Sequence, residues 1–286
     1  MKKALIEVDS DKNIKSIDTM SALLGFQAKD YEIVYKSTLD LLTKNNDDLK
    51  DISCFFGSLN FSKLVFNLLG VSKDKLEFNT YPFPLYLSGY DYYNRMIVQN
   101  NIDYTLNNEK GIIFIKPVKT KEFFASKVDL DCKSSYDDTL NKNDFLSLNS
   151  KYFQDKDLKD IECFSSQKIN IDAEFRVYIQ NGKVIGSKQY QGKHYFYLDK
   201  ACWNFIERNL IPFLAERDIN TLSLDIGVKF YHGDFGVLYK IIPFVIECND
   251  AYAIGNYGLD NDIFVEFLET RFNELVKKWF SSNAIK

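Results

Sequence analysis

The stretch IDAEFRVYIQNGKVIGSKQY (171–190) constrains the fold more than any other segment. Ala173, Phe175, Val177 and Ile179 alternate with Asp172, Glu174, Arg176 and Tyr178, the period of an extended strand with one apolar and one polar face. Asn181-Gly182 then supplies two residues that tolerate positive φ, the requirement of a tight type I′ turn, and 183–190 returns as the second strand. An antiparallel hairpin is therefore expected here. It excludes an all-helical fold and a purely parallel sheet.

The rest of the chain is read around that hairpin. ALIEV (4–8), YEIVY (31–35) and ISCFF (52–56) have strand character, and Phe61, Leu64, Val65, Leu68 and Leu69 follow Gly57 with helical spacing up to Gly70. This alternation predicts a small N-terminal α/β domain. GIIFIKPV (111–118) reads as a short buried strand, and 129–160 as loop with short helix. A helix carrying Trp203, Phe205, Ile206 and Leu210 is expected to break at Pro212. TLSLDIGVKF (221–230) alternates with Asp225 on the polar side, a turn near Gly233 leads into FGVLYKIIPFVIECN, and an amphipathic helix around 263–276 closes the chain. The class is α+β, with divisions expected at 1–108, 109–191 and 192–286.

Composition enters as a set of exclusions. Forty acids against 36 bases argue against a protein that coats nucleic acid. The five cysteines, Cys54, Cys132, Cys163, Cys202 and Cys248, are scattered without a CxxC pair, which suits a reducing cytoplasm. With only His194 and His232 beside them, a structural zinc site is not expected, and both histidines read as surface or turn residues. No stretch approaches a membrane span, and the N-terminus lacks a signal-peptide core. Walker-A and GxGxxG phosphate cradles are absent from the sequence.

The segment VIECNDAYAIGNYG (245–258) raises the chemical question. Strand periodicity puts Glu247 and Asn249 on one face with Val245, roughly 7 Å apart, while Ile246 and Cys248 point to the opposite layer. A carboxylate and an amide oxygen aimed at one spot suit Mg²⁺, with Asp225 as a third donor. The plain alternative is a solvated strand face with a carboxylate capping the next turn. Lys116, at a strand end, can meet a phosphate as a point charge, or it can simply be solvated with Lys119, Lys121 and Lys127. Glu174 and Arg176 can serve a ribose and a phosphate or acylphosphate, or they can form an exposed cross-strand ion pair.

In order, FIKPV and KEFFA, then IECF, DAEFRVYIQNGKVIGSKQY, LDIGV and VIECNDAYAIGNYG resemble the ATP-grasp superfamily, most of all its R2K clade. GSLNFSKLVFNLLG is similar to the pre-ATP-grasp segment of that clade, and the resemblance covers about residues 50–270. It implies two α+β subdomains sandwiching ATP behind a small α/β pre-ATP-grasp domain. By motif position it implies ATP contacts from Lys116, Lys121, the hinge residues Glu162, Cys163 and Phe164, and the ribose-holding Glu174. It assigns Mg²⁺ to Asp225, Glu247 and Asn249, and a catalytic role to Arg176. The implied activity is an ATP-dependent carboxylate–amine ligase acting on small-molecule or peptide substrates. A non-catalytic nucleotide-binding module and a phosphotransferase are the alternatives, and a C2 homodimer is the default oligomer. One departure stands out: KTKEFFASKV (119–128), where many relatives carry a glycine-rich lid, has no glycine.

Overall fold

The computed structural model describes residues 1–14, 16–71, 90–119, 122–131, 139–232 and 238–283. Lys121, Cys132 and the turn expected near Gly233 lie outside these residues. The chain forms two compact units, Met1–Asn79 with Ala173–Asp225 and Asn249–Lys286, and Thr80–Asp172 with Ile226–Cys248.

The first unit begins with a parallel sheet of β1 (Lys3–Glu7), β2 (Glu32–Lys36) and β3 (Ile52–Phe56), in the order β2-β1-β3. The helix Leu59–Leu68 starts where Ser58 caps the Phe61 N–H, and the chain leaves it through Gly70 at φ +86°. Phe26, Phe61, Phe66 and, from the helix Asn261–Asn283, Phe264 and Phe267 bury against Leu5, Ile6 and Phe55. These aromatic side chains give the unit its main hydrophobic stabilisation.

Strands β4 (Ile97–Asn101), β5 (Ile112–Pro117), β6 (Ser126–Asp129), β7 (Leu140–Asn141) and β8 (Glu162–Gln167) form the sheet of the second unit, in the order β4-β8-β5-β6-β7. Ile113, Ile115, Val128 and Cys163 meet Ile102, Phe123 and Phe145 in its core. The segment expected as loop with short helix between 129 and 160 holds two short helices, Lys142–Leu148 and Ser150–Phe153. Asn141 nucleates the first by accepting from the Asn143 and Asp144 N–H groups.

The hairpin is β9 (Ala173–Gln180) and β10 (Lys183–Gly192). Asn181 and Gly182 both hold positive φ, +51° and +72°, as a type I′ turn demands. Two irregularities, between Val184 and Gly186 and between Gln189 and Gln191, shift the register so that Gln191 faces Glu174. β11 (Leu222–His232) and β12 (Leu238–Asp250) complete a sheet of order β10-β9-β11-β12. The chain leaves the first unit after Asp225 and re-enters it at Asn249.

Two expectations need correction. On the faces of β9 and β11 read as polar, Arg176, Tyr178 and Asp225 are buried, while Glu174 is partly exposed. β11 ends at His232 and β12 starts at Leu238, and Asn249 near the end of β12 comes within 3.4 Å of Asp225. Pro212 does not break its helix either. A π turn over Phe205–Leu210 widens the backbone just ahead, and Pro212 falls at the start of the next segment, Ile211–Ala215, where a missing N–H costs least.

Among the described residues, no helix is long and apolar enough to cross a membrane.

Candidate functional site

In the first unit, strands β9, β11 and β12 bring Arg176, Asp225 and Asn249 together. Arg176 donates through Nε and Nη2 to the two carboxylate oxygens of Asp225, 2.7 Å each, a bidentate fork matched to the planar guanidinium. Both side chains are more than nine-tenths buried. Burial alone opposes the Arg176 charge, but hydrogen bonding and attraction from Asp225 outweigh it and hold its pKa above the ordinary arginine value. The Asn249 amide approaches the same carboxylate at 3.4 Å.

Glu174 is not the ion-pair partner of Arg176. It accepts from the Tyr190 hydroxyl at 2.7 Å. Tyr190 and Tyr257 lie over the guanidinium, with ring centroids 5.8 and 4.5 Å from Cζ and 5.3 Å from each other. Burial first, then the negative charges of Asp225 and Glu174, push the Tyr190 hydroxyl well above its usual pKa, so it stays a donor. Neither tyrosine was singled out from sequence. An uninterrupted two-residue hairpin pairs Glu174 with Gln189, and only the register shift puts Tyr190 within reach of Glu174.

The second unit carries Lys116, Glu162, Cys163, Phe164 and Glu247. Lys116, near the end of β5, forms an ion pair with the Glu247 carboxylate, both side chains about one-fifth exposed. Arg95, also unforeseen, donates to the carbonyls of Tyr93 (3.0 Å), Val245 and Ile246 (3.4 Å each), and so braces β12 immediately before Glu247. Burial lowers its pKa to about 10. Glu162, Cys163 and Phe164 open β8, which hydrogen-bonds to β4 on one side and β5 on the other. Their backbone groups therefore serve the sheet. The Glu162 side chain accepts from Gln99 at 3.1 Å, while Cys163 is enclosed beside Thr105 with its thiol pushed up to about 11 by burial.

The expected metal donors are two carboxylates and an amide, an all-oxygen set that suits a hard cation such as Mg²⁺ rather than a thiophilic metal. Each Asp225 oxygen accepts one hydrogen bond from Arg176, and Oδ2 also accepts from the Asn249 amide at 3.4 Å. Asn249 reaches that carboxylate, and Glu247 stands two residues before it on β12. Among the described residues no three His, Cys, Asp or Glu side chains cluster as a metal site. The chemistry of these donors suits such an ion.

Comparison with known proteins follows this chemistry. Residues 92–267 match the model of the ATP-grasp domain, R2K clade family 2. No curated protein matches the chain. Among solved structures it is similar to the D-alanine–D-alanine ligase of Bacillus anthracis complexed with ATP: TM-score 0.54, 13% identity, 96% of this chain and 98% of that one. It is similar also to the D-cycloserine synthetase DcsG, TM-score 0.57 and 9% identity over 95% and 99% of the two chains. A third is the macrocyclase MdnC bound with precursor peptide MdnA from Microcystis aeruginosa MRC, TM-score 0.52 and 12% identity over 93% and 99%. At these identities the likeness establishes a shared fold, and the family model spans more than half the sequence. The chain belongs to the ATP-grasp superfamily, in family 2 of its R2K clade.

Proposed function

We propose that the chain is an ATP- and Mg²⁺-dependent carboxylate–amine ligase that forms an amide or peptide bond through an acylphosphate. The observation that carries this reading is the buried Arg176–Asp225 fork with Asn249 against it, in a chain of ATP-grasp fold. A buried guanidinium held in one orientation is a ready stabiliser of an oxyanion, and the residues around it need no protein nucleophile. The structural relatives named above are a ligase, a synthetase and a macrocyclase by their own names, which supports the same class.

In this reading residues 1–108 form the pre-ATP-grasp domain, and 109–191 and 192–286 the two ATP-grasp subdomains. Lys116, with Lys121 assisting, contacts the nucleotide phosphates. Glu162 lines the adenine side, with the buried Cys163 and Phe164 holding β8 in its sheet, and Glu174 holds the ribose. Mg²⁺, held by Asp225, Glu247 and Asn249, supplies neutralisation of phosphate charge when bound. A substrate carboxylate oxygen bonds to the γ-phosphorus as the bridging P–O bond breaks and ADP departs. A neutral amine then adds to the acyl carbon, loses a proton and expels phosphate, while Arg176 steadies the oxyanion.

The glycine-free segment KTKEFFASKV favours a second reading, a nucleotide-binding module without turnover. Incubation with Mg–ATP and pools of amino acids and short peptides separates them. The ligase reading expects substrate-dependent release of ADP and phosphate in equal amounts, with a condensed product by mass spectrometry. Background ADP release alone contradicts it, and a phosphorylated product that persists without free phosphate makes the chain a phosphotransferase.

A further inference from the structure

The ligase reading places Arg176 at the reacting centre, and the structure shows what aims it. Nε and Nη2 are taken by Asp225, whereas Nη1 makes neither of those bonds. The Arg176 side chain keeps 9% of its surface exposed. Free rotation of the plane is opposed by the rings over it, Tyr257 at 4.5 Å and Tyr190 at 5.8 Å.

Tyr257 is mounted unusually. Its backbone sits at φ +47°, a conformation rarely adopted by an aromatic residue, and Ala253 in the same loop holds +51°. The loop is fastened between these two: the Tyr178 hydroxyl reaches the carbonyls of Gly255 (2.7 Å) and Asn256 (2.6 Å), and the Asn256 N–H donates to Asp18 at 2.7 Å. A Cβ at residue 255 would stand 2.8 Å from the Tyr257 ring, so only glycine there leaves the ring its place. Backbone strain held by surrounding contacts is characteristic of sites where position matters to function.

We propose that Tyr257 is a positioning residue: its ring, carried by the strained loop 251–258, fixes the guanidinium plane of Arg176 so that Nη1 presents its hydrogens to the reacting oxyanion. The role given to Arg176 rests on the ligase reading; the stacking device does not. If Tyr257 merely covered a buried ion pair, removing it would cost stability and leave the chemistry of the folded enzyme alone.

The test uses the full chain and the variants Tyr257→Phe and Tyr257→Leu, read by unfolding temperature, by the Arg176 Nε–Hε resonance of ligand-free ¹⁵N-arginine-labelled protein, and by steady-state ADP release. Tyr257→Leu is expected to move the Arg176 Hε signal out of ring-current shielding. It should lower kcat about tenfold, with KM for ATP within about twofold and little change in Tm. Tyr257→Phe is expected to retain the wild-type signal and kcat. The proposal is overturned if Tyr257→Leu keeps the wild-type resonance, if it keeps kcat, if kcat falls only in step with Tm, or if Tyr257→Phe fails as badly as Tyr257→Leu. Should the wild-type protein release no ADP, the ligase reading fails, and the Arg176 resonance alone then decides whether the stacking device exists.

Discussion

Replacing Asp225 by alanine is expected to cost about 3–5 kcal/mol of folding stability, because it strands a guanidinium that is more than nine-tenths buried. The wild-type pair is a bidentate fork at 2.7 Å on both arms. Neither partner has enough exposed surface for water to replace the other, and the rings of Tyr190 and Tyr257 offer only a weak substitute for a carboxylate. The double variant Arg176→Met with Asp225→Leu removes both charges together. Buried pairs exchanged for apolar side chains of similar volume often lose little stability, so this variant should unfold near the wild-type midpoint. It should nevertheless release no ADP, because the fork is retained for chemistry rather than for folding. Urea unfolding of the two variants checks the first claim and ADP release the second. A loss below about 1 kcal/mol for Asp225→Ala would place the pair in the class of screened surface bridges and undo the argument.

Glu247→Gln carries the opposite signature. The pair with Lys116 is partly solvated, so losing it is expected to change stability by no more than about 1 kcal/mol. Arg95 still holds the carbonyls of Val245 and Ile246, so the strand keeps its place. Activity should fall about 10²–10³-fold, the loss typical when a group stabilising developing charge is removed from a preorganised site. Paired measurement of Tm and turnover checks this. A variant that retains more than about a tenth of wild-type activity would take Glu247 out of the metal set.

What the sequence disclosed follows from the range of the interactions involved. The β9–β10 hairpin was readable because its turn is encoded in two adjacent residues, Asn181 and Gly182, that accept positive φ. The strand ISCFF and the helix following Ser58 were equally local. The burial of Asp225 was not readable. Alternation distinguishes two strand faces, but it does not tell whether the polar one meets water or a buried arginine from another strand. Arg176 and Asp225 lie 49 positions apart, and nothing within either segment points to the other. The Tyr190–Glu174 bond escaped for a different reason, since it depends on register irregularities that leave no pattern in the chain. Tyr257 was visible only as part of an aromatic, glycine-containing loop, and its stack on Arg176 needed coordinates.

The most direct test of the whole account is the melting temperature of the full chain with a non-hydrolysable ATP analogue, with and without Mg²⁺. A ligand that binds only the folded state stabilises it by about 2.7 kcal/mol at a hundred times its Kd. The account predicts a clear rise in Tm with analogue and Mg²⁺ together, a smaller rise with analogue alone, and loss of the Mg²⁺-dependent part in Glu247→Gln. An unchanged Tm under all three conditions would contradict it.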